Sequence, residues 1–253
     1  MTVVPPLARF ESELVGKFGH VSAWVFDLDN TLYPAECGLW SEIETRVTLY
    51  LMRLTGLDGL SARALQKYYY HCYGATLRGL VEENAASVED FLNFVHDVDR
   101  SALAPNPRLA REVSRLPGRK LIFTNGSRDH ALRTVTRLGL GGLFEDAFDI
   151  VAAGLIAKPD DRAYQAFFDA HDVDPARAAM FEDIATNLRA PKARGMTTTL
   201  VAPRPQRRYR AAAERRNPRE GGFVDFVTHD LVGFLARINA ELAVPRPARL
   251  AVG

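Results

Sequence analysis

Asp27 and Asp29 stand two residues apart, directly after the apolar run Ala23-Trp24-Val25-Phe26. Two carboxylates beside a buried strand repel one another and resist desolvation, so the pair calls for a cation between them. The alternative is a turn in which both carboxylates merely cap nearby backbone N–H groups. Three further sites carry polar groups of complementary kinds. Thr124-Asn125-Gly126-Ser127 offers a hydroxyl and backbone donors at a helix amino terminus. Lys158-Pro159 supplies a cation, and Glu182-Asp183, with Asn187 one turn further on, adds hard oxygen ligands suited to Mg²⁺. Each alone has an ordinary structural explanation, Lys158 as a surface lysine for example. Together, each after an apolar run and in this order, they form a set that could bind and transfer a phosphoryl group.

Such groups must be positioned by a scaffold. The predicted strands are residues 23–26, 120–124, 149–152, 179–181, 198–201 and 223–227, short runs apolar on both faces as a covered parallel sheet requires. Helical patterns over 129–138, 161–171, 184–194 and 229–239 alternate with them, which predicts βαβ units. The rhythm breaks between about 36 and 116, where helix signals replace strands. Leu39, Ile43, Val47, Leu51 and Leu54 share one helical face. Ser87 with Asp90 reads as a capping box, and Asn106-Pro107 as an N-cap followed by an N1 proline. The expected architecture is α/β: a Rossmann-like parallel-sheet core from residues 1–34 and 117–253, with an all-helical cap domain, 35–116, inserted after the first strand. An insertion there overhangs the carboxyl ends of the strands, where open α/β sheets bind ligands.

The arrangement resembles the haloacid dehalogenase-like hydrolase superfamily. Its four motifs stand here as Asp27-Leu28-Asp29-Asn30-Thr31, Thr124-Asn125-Gly126-Ser127, Lys158-Pro159 and Glu182-Asp183-Ile184-Ala185-Thr186-Asn187. Leu32-Tyr33-Pro34 and Tyr73-Gly74-Ala75-Thr76-Leu77-Arg78 are similar in particular to the pyrimidine 5'-nucleotidases. The resemblance implies a Mg²⁺-dependent phosphatase acting on a small phosphorylated metabolite, with a pyrimidine nucleoside 5'-monophosphate as candidate substrate. In that scheme Asp27 is the nucleophile that forms an aspartyl-phosphate, and Asp29 the general acid and then base. Thr124, Asn125 and Lys158 hold the phosphoryl oxygens, and Lys158 restrains Asp27. The metal takes Asp27, the Asp29 carbonyl and Asp183, with Glu182 a further candidate ligand where many relatives carry Asp. Tyr33, Tyr73 and Thr76 are the expected substrate and cap contacts, with Tyr33 and Pro34 at a hinge. Ala75 departs from the hydroxyl residue common in the subfamily. A phosphomutase shares both aspartates and stays open. Relatives that cleave carbon–halogen bonds generally lack the second acid, so Asp29 argues against them.

The remaining features bound the function classes. At 253 residues the chain has room for one large domain or two modest ones, taking about 150 per domain. Its net charge of +1 creates no global field for nucleic acid or an anionic membrane. Seven arginines between Pro203 and Gly222 form a local exception, read as a solvated loop, with a phosphate or nucleic-acid contact as the alternative. A non-catalytic binding protein using that stretch is the reading from a different class; retention of Asp27, Asp29 and Lys158 argues against it. Cys37 and Cys72 match no disulfide or zinc pattern and are expected as reduced thiols. His71, His96, His130 and His171 lack ligand spacing and read as surface or locally satisfied residues. Of the four tyrosines near position 70, at least two are expected to pack the cap rather than meet a substrate. With no apolar signal core near the amino terminus and no run approaching the roughly 20 residues of a membrane span, a cytoplasmic location is expected.

Overall fold

The run Ala23–Phe26 is buried along its whole length and forms β1, at the centre of a six-stranded sheet. The computed structural model describes residues 14, 16–84, 86–203 and 221–243. The other strands are β2 (Arg119–Phe123), β3 (Asp146–Phe148), β4 (Ala178–Glu182), β5 (Thr197–Val201) and β6 (Phe226–Thr228). They lie in the order β3-β2-β1-β4-β5-β6, every neighbouring pair parallel. The chain therefore winds outward to one side of β1 and then to the other. That reversal leaves a crevice outside the carboxyl ends of β1 and β4.

Alternation along β1 divides the core between the two sheet faces. Trp24 and Phe26 pack with Phe18, Phe181 and Phe234, whereas Ala23 and Val25 pack with Tyr164, Phe167 and Met180. The turn into β2 requires glycine: Gly118 has φ +82°, and a Cβ there would lie 2.3 Å from the Ser22 carbonyl oxygen. That closeness lets Arg119 N–H donate to Ser22 O at 2.9 Å and start the β1–β2 ladder.

Five helices lie between β1 and β2: α1 (Leu39–Thr55), α2 (Gly59–Tyr73), α3 (Thr76–Asn84), α4 (Val88–His96) and α5 (Pro107–Arg115). Their caps follow the sequence signals. Ser87 Oγ accepts from Asp90 N–H at 3.2 Å, and Asn106 Oδ1 from Leu109 N–H at 3.0 Å. Leu51, Tyr69, Leu80, Phe91 and Val95 form a separate apolar cluster, completed by Ile150 and Ala157 from the sheet side. Gly79 lets α3 press against α2, since a Cβ would meet the Tyr69 ring at 2.5 Å. Of the α1 face, Leu39, Ile43 and Leu51 are buried, but Leu54 is exposed near the helix end.

Helices beyond β2 among the described residues include α6 (Arg128–Arg137), α7 (Asp161–His171), α8 (Arg189–Ala193) and α9 (Leu231–Ala243). Two expected strands are displaced. The third runs over Asp146–Phe148, not 149–152, because the Asp149 carboxylate accepts from Arg128 N–H and Ala152 N–H at 2.8 Å each. Those bonds fold the next residues into turns, with Val151 exposed, so Lys158 follows β3 through turns rather than directly. The last strand pairs through Phe226–Thr228, whose partners are Thr199–Val201. The expected helix 184–194 begins as the 3₁₀ turn Ala185–Leu188 before α8. The arginine-rich stretch lies almost entirely outside the described residues.

Candidate active site

Asp27 stands one residue past β1, and its N–H donates to Phe181 O at 2.9 Å, which carries the β1–β4 pairing one step further. The chain then turns tightly: Leu32 N–H donates to Leu28 O at 3.0 Å, and Asn30 takes φ +60°. The turn brings Thr31 back to Asp27, its hydroxyl donating to Oδ2 at 2.9 Å. The other carboxylate oxygen, Oδ1, accepts from Lys158 Nζ at 2.8 Å.

Lys158 is buried and spends all three of its hydrogens. Besides Asp27, it donates to Glu182 Oε2 and to Phe123 O, both at 2.7 Å. Its position is set by Asn125, whose side chain donates to Lys158 O at 3.1 Å and accepts from Lys158 N–H at 2.9 Å. The Asn125 side chain thus clamps the lysine backbone, with one amide hydrogen committed to Lys158 O, and the residue lines the chamber. Thr124 Oγ1 accepts from Gly126 N–H at 2.9 Å, shaping the turn before α6. Glu182 Oε1 accepts from Asp183 N–H and Ile184 N–H at 3.1 Å each.

One buried ammonium serves a crowded group of carboxylates. Burial and the neighbouring Glu182 raise Asp27 to about 7. Burial, Asp27 and Glu182 raise Asp183 to about 9. Carboxylate oxygens of Asp27, Glu182 and Asp183 lie within 4.8 Å of one another. An all-oxygen donor set with more negative charge than one lysine offsets is the chemistry that a hard divalent cation matches, so the residues fit Mg²⁺. Among them Asp183 has no bond to Lys158 and is the least enclosed.

Asp29 turns away from this cluster. Its Oδ1 accepts from the Tyr33 hydroxyl and from His130 Nε2, the latter at 2.8 Å. Burial would raise its pKa, but the hydrogen bonds from His130 and Tyr33 outweigh that and hold it below the ordinary carboxylate value. Tyr33 is buried and reaches the site only through Asp29. Tyr73 donates to Glu83 Oε1 at 2.6 Å within the insertion and lies apart from the chamber lining, whereas Thr76 lines it.

That chamber, about 450 Å³, is bounded by Asp27, Asp29, Lys158 and Asp183 on the sheet side and by the helical insertion on the other. The insertion contributes Trp40, Gln66 and Lys67, which the sequence motifs did not single out, and Tyr70 of the tyrosine cluster. Tyr70 is exposed, whereas Tyr69 is buried and accepts from Asn84 at 2.6 Å, so the tyrosine cluster divides between packing and chamber. The reading of His96 and His130 as surface or locally satisfied residues needs correction. Both are buried; His130 bonds Asp29, and His96 lines the chamber. A histidine two residues into a helix carries no sequence spacing that ties it to a residue about a hundred positions earlier. His171, by contrast, packs on Phe148 and Phe167, away from the site.

The fold and this arrangement define an α/β protein with an acidic site at the strand ends of a parallel sheet, and the chain belongs to the haloacid dehalogenase-like hydrolases, whose family model matches residues 21–195. It is 27% identical over 193 residues to Phosphate metabolism protein 8 of Saccharomyces cerevisiae, an alignment covering 68% of this chain. The aligned part spans 58% of that relative's length. Among solved structures it is similar to a phosphatase of this superfamily from Thermococcus onnurineus, with a TM-score of 0.57 at 16% identity, over 88% of this chain and all of that one. L-2-haloacid dehalogenase from Xanthobacter autotrophicus matches at a TM-score of 0.53 and 18% identity, over 85% of this chain and 97% of that one. At these identities the structural likenesses speak for the fold alone. Among the described residues no helix is long and apolar enough to cross a membrane.

Proposed function

We propose that the protein is a Mg²⁺-dependent phosphatase, with residues 35–116 acting as a cap over a core of residues 1–34 and 117–253. The observation that carries this reading is the pair of differently set carboxylates at one chamber. Asp27 is held by Lys158 and Thr31, and Asp29, two residues on, is held separately by Tyr33 and His130. A halide leaves without a proton, whereas an alkoxide needs one, and Asp29 is placed to supply it.

Asp27 attacks phosphorus, the P–O bond to the leaving group breaks, and Asp29 passes its proton to the departing oxygen. Asp29 then removes a proton from water, whose oxygen displaces phosphate from Asp27. An incoming phosphate dianion favours the protonated acid at the start, as a like charge raises a neighbouring carboxyl's pKa. Lys158 keeps the Asp27 carboxylate aimed, and Thr124 with Asn125 faces the phosphoryl oxygens. Asp27, Asp183 and the Asp29 carbonyl would hold Mg²⁺, with Glu182 a supporting ligand; the ion, when bound, offsets charge so that carboxylate and phosphate can approach.

For the leaving group, Trp40 and Tyr70 offer aromatic faces, and Gln66 and Lys67 offer donors, a combination suited to the base and sugar of a pyrimidine nucleoside 5'-monophosphate. The name of the yeast relative is consistent with phosphate chemistry. Phosphate release from UMP, CMP, AMP and sugar phosphates with Mg²⁺ tests the proposal. Asp27→Asn is expected to lower the rate by about 10⁴-fold or more. A variant as active as the parent, or phosphate retained on the organic product as in a mutase, would refute it.

A further inference from the structure

The histidine that bonds Asp29 sits in a socket with little freedom. His130 Nδ1 lies 2.8 Å from Arg100 Nη2, on the side of the ring opposite Asp29. A guanidinium only donates, and an ionised carboxylate only accepts. Nδ1 therefore carries the lone pair and Nε2 the hydrogen, which fixes the neutral Nε2–H tautomer. Arg100 is anchored in turn, donating to Val98 O at 3.1 Å, His96 O at 3.2 Å and Thr134 Oγ1 at 3.3 Å. The His96 ring stacks on His130 with centroids 4.4 Å apart and planes 14° from parallel, and its Nδ1 lies 2.9 Å from Ser127 Oγ. Ser127 Oγ accepts from the His130 main chain at 3.2 Å. Both His96 and Arg100 belong to the limb by which the helical insertion returns to the sheet. The insertion thus builds the seat of a core histidine that holds Asp29.

We propose that His130 is a positioning residue for Asp29: its Nε2–H, set by Arg100, pins Oδ1 together with Tyr33 and leaves Oδ2 to exchange the proton. This rests on the phosphatase reading and adds a residue to it. Phosphorylation by p-nitrophenyl phosphate forms the Asp27–phosphorus bond and expels nitrophenolate, which leaves without a proton. Hydrolysis of the aspartyl-phosphate, by contrast, needs Asp29 to take a proton from water. Misplacing Asp29 should therefore slow the second step and spare the first.

Rapid-mixing measurements with p-nitrophenyl phosphate and Mg²⁺ separate the two steps. His130→Phe keeps a ring against His96 but removes both nitrogens, while His130→Gln restores an N–H donor toward Asp29. For His130→Phe the expected result is a burst of about one nitrophenolate per site, then turnover slowed by about 100-fold or more, the usual scale of acid–base catalysis. His130→Gln should recover to within about tenfold of the parent, and in His130→Phe kcat and KM should fall together with kcat/KM little changed, since only the second step slows. The burst amplitude counts folded sites, so turnover per site is read even from a partly misfolded sample. Should His130→Phe not fold at all, His130→Met, which likewise offers Asp29 no donor, must show the same burst and slow turnover. Turnover near the parent value, or equal slowing of burst and steady state, would overturn the inference while leaving the phosphatase reading intact. A parent protein that releases neither nitrophenolate nor phosphate would overturn both.

Discussion

The two carboxylates at the chamber live in contrasting surroundings. Asp27 lies in a cluster built wholly from the ends of sheet strands and their loops, with a buried lysine bonded to Asp27 and Glu182. Asp29, two residues later, is held by Tyr33 and by a histidine seated in groups from the helical insertion. Environment therefore pushes their pKa values apart: Asp27 up to about 7, chiefly by burial, and Asp29 below the ordinary value. Neighbours in sequence thus take on different chemistry because different core residues hold them, and the insertion seats the histidine that holds only one.

The comparison breaks most sharply at Lys158. Lys158→Met should leave Asp27 and Glu182 facing each other without their shared cation. Removing one partner of a buried pair typically costs about 3–5 kcal/mol, and urea unfolding at pH 7 without added metal should show a loss of that order. Added Mg²⁺ should recover part of it, because the ion binds only the folded arrangement. A variant with unchanged unfolding would mean that the lysine does not offset the cluster.

On the insertion side the expected losses are smaller and concern selectivity. Trp40→Ala should raise KM for a pyrimidine nucleoside monophosphate by about tenfold or more, the scale of one base–aromatic stack, with p-nitrophenyl phosphate affected less. Equal effects on both substrates would remove Trp40 from leaving-group recognition.

The mildest test is one of acid stability. Burial, with further lowering by Arg100, holds His96 down to about 3, so it stays neutral in the fold while its unfolded form takes up a proton below about 6.5. Between those values the unfolded chain binds the extra proton, so stability rises with pH and is lost as pH falls from about 6.5 toward 3. The slope from this one group is at most about 1.4 kcal/mol per pH unit. Melting temperatures of His96→Gln should accordingly fall less steeply than those of the parent over pH 6.5 to 4.5. Parallel curves would show that His96 is protonated in the fold.

Much of this was legible along the chain because its signals are local. A strand such as Ala23–Phe26 declares itself by apolar residues on both faces, and the caps at Ser87 and Asn106 by residue types at fixed offsets. Asp27, Thr124, Lys158 and Glu182-Asp183 stood out for the same reason, each placed after an apolar run. The third strand was misplaced because Asp149, at the end of an apolar stretch, serves as a turn cap rather than a strand residue. One of its two bonds is to the amide of another segment, at Arg128, which no local pattern records.

The sequence alone determined the parallel α/β scaffold, the helical insertion after its first strand and the acidic and cationic groups at the strand ends. These follow from hydrophobic periodicity and from short-range backbone chemistry, both of which act within a few residues. Only the tertiary structure decided that Lys158 spends every hydrogen on Asp27, Glu182 and a backbone carbonyl, that Asn125 clamps a backbone, and that His130 rather than a motif residue holds Asp29. Those contacts join residues 24 to 131 positions apart, and their geometry exists only once both faces of the sheet and the insertion have packed.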